Sequence, residues 1–152
     1  KQKTAYEIPL RLVGSAGYGD GEQRRDFVHV DDVVNANLWF FGRPGASGIF
    51  NCGTGRAQSF NDVAVAVINT VREARGEMPM TREEMTGAGL IRYVPFPAGL
   101  EARYQSYTQA DLSNLRAAGC DQAFMSVEQG VRAYVTHLIG LRAGELNGAR
   151  RN

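Results

Sequence analysis

The sequence predicts an α/β fold, and three stretches carry that prediction. Arg24-Arg25-Asp26-Phe27-Val28-His29-Val30 alternates as a short strand does, and Asp31-Asp32 follow it where a helix would begin. Ile49-Phe50-Asn51-Cys52 is a second short strand, and it runs through Gly53-Thr54-Gly55 into a further helix start. Leu90-Ile91-Arg92-Tyr93-Val94 returns as a strand and stops at Pro95-Phe96-Pro97. Strands that alternate with helices in this order predict a parallel sheet.

Taken in order, Pro9-Leu10-Arg11-Leu12-Val13 reads as a strand that breaks into a glycine-rich loop over residues 14–21. Asp31 or Asp32 should cap the first helix, with Val34, Leu38 and Phe41 on its inner face. Arg43-Pro44-Gly45 ends it. Ser59-Phe60-Asn61-Asp62 has the spacing of a capping box, and Phe60, Val63, Val67 and Val71 recur on one side of the helix that follows. Residues 75–89 are polar and loosely helical, which predicts a surface excursion. Thr108-Gln109-Ala110-Asp111 caps a short helix with Leu112 and Leu115 inward and Gly119 as its left-handed stop. Ser126-Val127-Glu128-Gln129 caps the last helix, whose inner face takes Val127, Val131, Tyr134 or Val135, and Leu138. Beyond Arg142 the chain is expected to fray. No repeat or linker divides residues 1–152, so they read as one unit.

Bulk composition excludes several classes. A chain of 152 residues with 43% hydrophobic and 22% charged content is globular rather than disordered. A net charge of +1 provides no global field to recruit nucleic acid or a membrane surface. No apolar run approaches the roughly eighteen residues that span a bilayer. Cys52 and Cys120 form no C-x-x-C pair, and two lone thiols fit a reducing cytoplasm.

Arg25 is the strongest candidate for ligand contact. A strand start holds it directly after a glycine-rich loop, so a diphosphate could approach the backbone while the guanidinium forks onto it. Arg24 is balanced between that role and a solvated one. The loop has no Gly-Lys-Ser/Thr end, so it is no P-loop. Gly53-Thr54-Gly55 lacks the third glycine of a dinucleotide fingerprint, since Gln58 stands there, and reads as a strand-to-helix turn. Arg103-Tyr104-Gln105-Ser106-Tyr107 is a polar-aromatic patch that could hold a core tyrosine or contact a sugar or phosphate. His29 is expected to be packed rather than catalytic. No metal-ligand spacing occurs, and no nucleophile elbow. A Tyr-x-x-x-Lys pair, in which the lysine lowers the tyrosine's pKa for proton transfer, is ruled out because Lys1 and Lys3 both precede Tyr6.

Residues 24–33, 37–40, 47–57, 93–97, 103–112 and 115–119 together resemble the ADP-L-glycero-D-manno-heptose 6-epimerases, a family of extended short-chain dehydrogenase/reductases. The R-D-F-V-x-V-x-D-V stretch is general to that superfamily. Gly48-Ile49-Phe50-Asn51, Gly53-Thr54-Gly55-Arg56-Ala57 and the run from Arg103 through Leu112 are more specific. The resemblance, over residues 12–138, implies the C-terminal, substrate-binding part of an extended Rossmann-type fold. It implies an enzyme that oxidises its ADP-sugar transiently at C6 with bound NADP and returns the hydride to the opposite face. The product would be the heptose donor for lipopolysaccharide core in a Gram-negative bacterium. Carried over by position, substrate contacts fall on Leu12, Val13, Gly14, Ser15, Arg25 and Tyr104. Catalytic residues and nearly all NADP contacts would precede residue 1, and the family assembles as a homo-oligomer, a pentamer. Val13 replaces the family's phenylalanine, Arg92 a glutamate, Ala102 a glycine and Cys52 a leucine.

Two other readings stand beside this one. One is a non-catalytic sugar-nucleotide-binding paralogue, and the other an extended short-chain enzyme acting on UDP- or dTDP-sugars. In the leading reading the N-terminal NADP-binding part is absent. The chain alone should then be inactive, and the apolar faces of its first two helices should be only partly covered.

Overall fold

Local capping chemistry and glycine stops divide this chain into short elements. The computed structural model describes residues 10–13, 21–95 and 104–149. In order they form β1 (Leu10–Val13), β2 (Arg24–Arg25), α1 (Val30–Phe41), β3 (Gln58–Ser59), α2 (Phe60–Ala74), α3 (Arg82–Gly87), β4 (Ile91–Val94), α4 (Ser113–Ala117) and α5 (Val127–Ala149). The capping box that opens α2 forms as its sequence spacing requires. Ser59 Oγ accepts from the Asp62 N–H at 3.1 Å, and the Asp62 carboxylate accepts from the Ser59 N–H at 2.8 Å.

Among the described residues two small sheets form instead of one parallel sheet. β1 and β4 pair in parallel, with Leu12 opposite Tyr93 and Val13 opposite Val94. β2 and β3 pair antiparallel over two residues, Arg24 with Ser59 and Arg25 with Gln58. The strand expected to continue through residues 27–30 does not form. Its partner β3 ends where α2 begins, and the Phe27 ring instead meets Phe60 edge-on at 5.3 Å. The strand expected at Ile49-Phe50-Asn51-Cys52 is also absent. Side chains hold that backbone: Asn114 Nδ2 donates to the Ile49 carbonyl, and Asn51 Nδ2 to the Asp111 carbonyl.

α2 is the central element. On one flank Ala64 joins Met85 of α3 and Ile91 of β4 in the core, with Val65, Ile68, Met80, Leu90 and Tyr93 around them. Residues 75–89 are therefore not the loose excursion that their polarity suggested. Thr81 and Glu84 make a second capping box, and Met85 is fully buried. Asn69 fixes the approach to α3 by donating to the Met80 carbonyl at 3.0 Å and accepting from its N–H at 2.9 Å. The other flank of α2 lies against α5. There Val127 and Gly130 are buried, while Tyr134 and Leu138 point outward, so Val135 is the inward member of that pair. Helix α5 continues to Ala149 rather than fraying at Arg142.

α1 departs most from its sequence reading. His29, not Asp31 or Asp32, is its N-cap, and the ring Nδ1 accepts from the Asp31 N–H at 3.3 Å. Asp32 is buried inside the helix, where its carboxylate accepts the Met125 N–H at 2.8 Å and its carbonyl accepts from Gln122. Those bonds turn the Asp32–Ala36 edge inward. The expected inner face points out instead, leaving Val34, Leu38 and Phe41 at 48%, 61% and 88% exposed. On α2, Phe60, Val63 and Val67 are half-buried.

Candidate functional site

Three segments far apart in sequence meet around β2. The Arg24 N–H donates to the Ser106 carbonyl at 2.8 Å, and the Thr108 N–H returns to the Arg24 carbonyl at 3.1 Å. Residues 104–110 therefore run beside β2 and bring Tyr104 to Arg25. The Arg25 guanidinium carbon sits 5.1 Å from the centre of the Tyr104 ring, within cation–π range. Arg25 Nη1 also donates to the Arg24 carbonyl at 2.8 Å, which fixes the plane of the fork. Arg25 is half-buried and Tyr104 is 40% exposed, so the pair lies at a surface rather than in the core. Arg24 turns away, with Nη1 3.4 Å from the Ala57 carbonyl.

Asp26 joins these segments, and its role was missed in the sequence. One carboxylate oxygen accepts the Thr54 N–H at 2.7 Å and the Thr54 hydroxyl at 2.6 Å. The other accepts the Gly55 N–H at 2.9 Å and the Ala110 N–H at 3.0 Å. Burial alone would push the carboxyl pKa up. The Thr54 hydroxyl and the Ala110, Thr54 and Gly55 N–H groups outweigh it and hold the pKa below its ordinary range. Both flanking glycines are needed. A Cβ on Gly53 would lie 2.7 Å from the Asp26 carboxylate and 2.7 Å from Ala110 Cβ, and Gly55 has φ +72°. The available signal was the turn itself, since successive glycine-turn N–H groups need an anion and Asp26 is the acid beside the proposed phosphate contact.

Gln109 Nε2 adds a bond to the Gly55 carbonyl at 2.7 Å. An open cleft of about 740 Å³ lies on that side, lined in part by Thr54, Gly55, Asp111 and Arg116. Farther along, Asn61 anchors the end of the glycine-rich loop. Its N–H donates to the Gly21 carbonyl at 3.1 Å, its amide donates to Glu22, and Tyr93 donates to it at 3.0 Å. A Cβ on Gly21 would strike Asn61 at 2.3 Å, so a glycine is required there.

Of the six residues proposed as substrate contacts, the structure brings together Arg25 and Tyr104. Leu12 and Val13 lie on β1, in the other sheet. Gly14 and Ser15 lie outside the described residues. His29 caps α1 and packs over Gly130. Among the described residues no group of His, Cys, Asp and Glu is arranged to hold a metal ion, and no helix is long and apolar enough to cross a membrane.

Comparison with known proteins agrees with this architecture. Residues 8–53 match the NAD dependent epimerase/dehydratase family. The chain is 56% identical over 126 residues to ADP-L-glycero-D-manno-heptose-6-epimerase of Thiobacillus denitrificans. That alignment takes in 83% of this chain and 38% of the relative, so the chain spans well under half the relative's length. A solved NAD-dependent NDP-hexosamine 5,6-dehydratase of tunicamycin biosynthesis, TunA, superposes with a TM-score of 0.53 at 23% identity. It covers 83% of this chain and 34% of its own. The fold is the α/β fold of the extended short-chain dehydrogenase/reductases, and the resemblance read from the motifs is borne out.

Proposed function

We propose that this chain is the C-terminal, ADP-sugar-binding part of an ADP-glyceromanno-heptose 6-epimerase. On this reading the whole enzyme converts ADP-D-glycero-D-manno-heptose to its L-glycero epimer for lipopolysaccharide core, with NADP as hydride carrier, and works as a cytoplasmic homo-oligomer. The observation that carries the reading is the Arg25–Tyr104 pair. A guanidinium has five N–H donors in a rigid fork. Arg25 commits Nη1 to the Arg24 carbonyl and rests against the Tyr104 ring, and this holds the fork in one orientation before ligand arrives. A diphosphate accepts such a fork in bidentate fashion. Leu12, Val13, Gly14 and Ser15 complete the proposed substrate contacts.

The described residues do not fit a dinucleotide. The Gly53–Gly55 turn, whose sequence has a dinucleotide-like layout, already holds an anion, the Asp26 carboxylate, on its N–H groups. A cofactor phosphate would have to displace it. The NADP site and the catalytic tyrosine and lysine are therefore proposed to lie in a part of the protein outside this chain.

Titration calorimetry of the full-length protein with ADP-heptose tests the assignment. Arg25→Ala should weaken binding by about 1.5–3 kcal/mol, the scale of a hydrogen bond to a charged group. Unchanged affinity would rule out Arg25 as the diphosphate contact.

A further inference from the structure

We infer that Asp26 is a positioning residue for the ADP-sugar site, an internal anion that locks residues 104–110 against β2 so that Tyr104 meets Arg25. The inference rests on the function proposed above and adds to it a residue that touches no ligand. Main-chain bonds tie residues 104–110 to β2 only at Arg24, through Ser106 and Thr108. Two residues further along, the Gly53–Gly55 turn comes between, and the next tie is made by a side chain. The Asp26 carboxylate spans the gap, taking the Ala110 N–H on one side and the Thr54 and Gly55 N–H groups on the other. Gly53 allows this because no Cβ occupies the space between Asp26 and Ala110.

Without the carboxylate, three N–H groups and the Thr54 hydroxyl would face an empty anion-sized space. Convergent N–H donors of this kind bind small anions. The segment carrying Tyr104 would keep its bonds to Arg24 and the Gln109 bond to Gly55 but lose its main-chain tie at Ala110, and Tyr104 would be held less firmly against the Arg25 fork. The loss should fall on substrate binding rather than on turnover of bound substrate, because Asp26 reaches no ligand itself.

The experiment uses the full-length enzyme and its Asp26→Ala variant, assayed for epimerisation of ADP-heptose with and without formate. For Asp26→Ala, KM should rise about tenfold, the scale of one hydrogen bond to a charged group, with kcat within about twofold. Formate should restore at least half of the loss on the logarithmic scale, while chloride at equal ionic strength should not. A purely structural defect would not respond to formate. Should Asp26→Ala fail to fold, Thr54→Val keeps the carboxylate and removes one of its donors. It should raise KM about threefold, again with kcat held. Wild-type enzyme active on ADP-heptose, with an unchanged KM in the variant that folds, would overturn this inference alone. So would an Asp26→Ala loss that formate leaves untouched. Wild-type enzyme that neither binds nor turns over ADP-heptose would refute the functional reading and this inference together.

Discussion

Gly53 offers a direct test of the junction between β2, the 53–55 turn and residues 104–110. Replacing it with alanine places a methyl 2.7 Å from Ala110 Cβ and 2.7 Å from the Asp26 carboxylate, with the Asp26 carboxyl carbon at 3.0 Å. Carbon atoms rest at about 3.5–4.0 Å, so roughly 1 Å must be found. Neither neighbour yields freely. Ala110 moves only with its backbone, and its N–H is bonded to Asp26. Asp26 can rotate only by releasing its bonds to Thr54, Gly55 and Ala110. Overpacking typically costs about 1–3 kcal/mol, and loosening a charged hydrogen bond adds about 1.5–3 kcal/mol. Alanine's smaller unfolded-state entropy returns about 0.4–1 kcal/mol. The net expectation for Gly53→Ala is about 1.5–5.5 kcal/mol of lost stability. Gly55→Ala differs in kind: its φ of +72° costs about 1–2 kcal/mol, and the nearest atom its Cβ would meet is the movable end of Leu112 at 3.3 Å. Urea unfolding of the full-length protein, read by circular dichroism, measures both. Gly53→Ala should be the worse of the two, and a loss below about 0.5 kcal/mol would refute the packing at this junction.

Three further outcomes are expected. Met85→Ala should cost about 2–5 kcal/mol in the same assay, since a fully buried side chain leaves a cavity; a surface-like change under 0.5 kcal/mol would restore the view of residues 75–89 as a loose excursion. Asp26 has its pKa lowered by folding, so its contribution is present above the unfolded carboxyl value of about 4 and is lost as pH falls through the lower folded value. Stability profiles from pH 7 to pH 2 should therefore show a smaller acid loss in Asp26→Asn than in wild type, and superimposable slopes would contradict the assigned bonds. Fluorescence titration of this chain with NADPH should show no micromolar binding, whereas saturation in that range would mean that the Gly53–Gly55 turn accepts a phosphate despite Asp26.

What the sequence by itself determined is largely what depends on residues three or four apart. Ser59 with Asp62 and Ser126 with Gln129 start their helices because each pair closes its own hydrogen bonds. Gly119, at φ +89°, stands just beyond α4 for an equally local reason. The motif strings around Arg24, Gly53 and Tyr104 were also legible, and they pointed to the epimerase resemblance before any geometry was known. Tertiary structure decided the rest. Three acids follow Arg25 within seven residues, and nothing local says that Asp32 turns inward while His29 caps α1 in place of Asp31. The Met125 N–H that draws Asp32 inward lies 93 residues away. Asp26 has the same history, with partners 28 and 84 residues along the chain at Thr54 and Ala110. Apolar periodicity named the stripe of Val34, Leu38 and Phe41, but it could not say which side of α1 the rest of this chain would cover. That choice fell to the buried bonds of Asp32, because a hydrogen-bonded carboxylate fixes a helix's rotation more narrowly than non-directional apolar contact does.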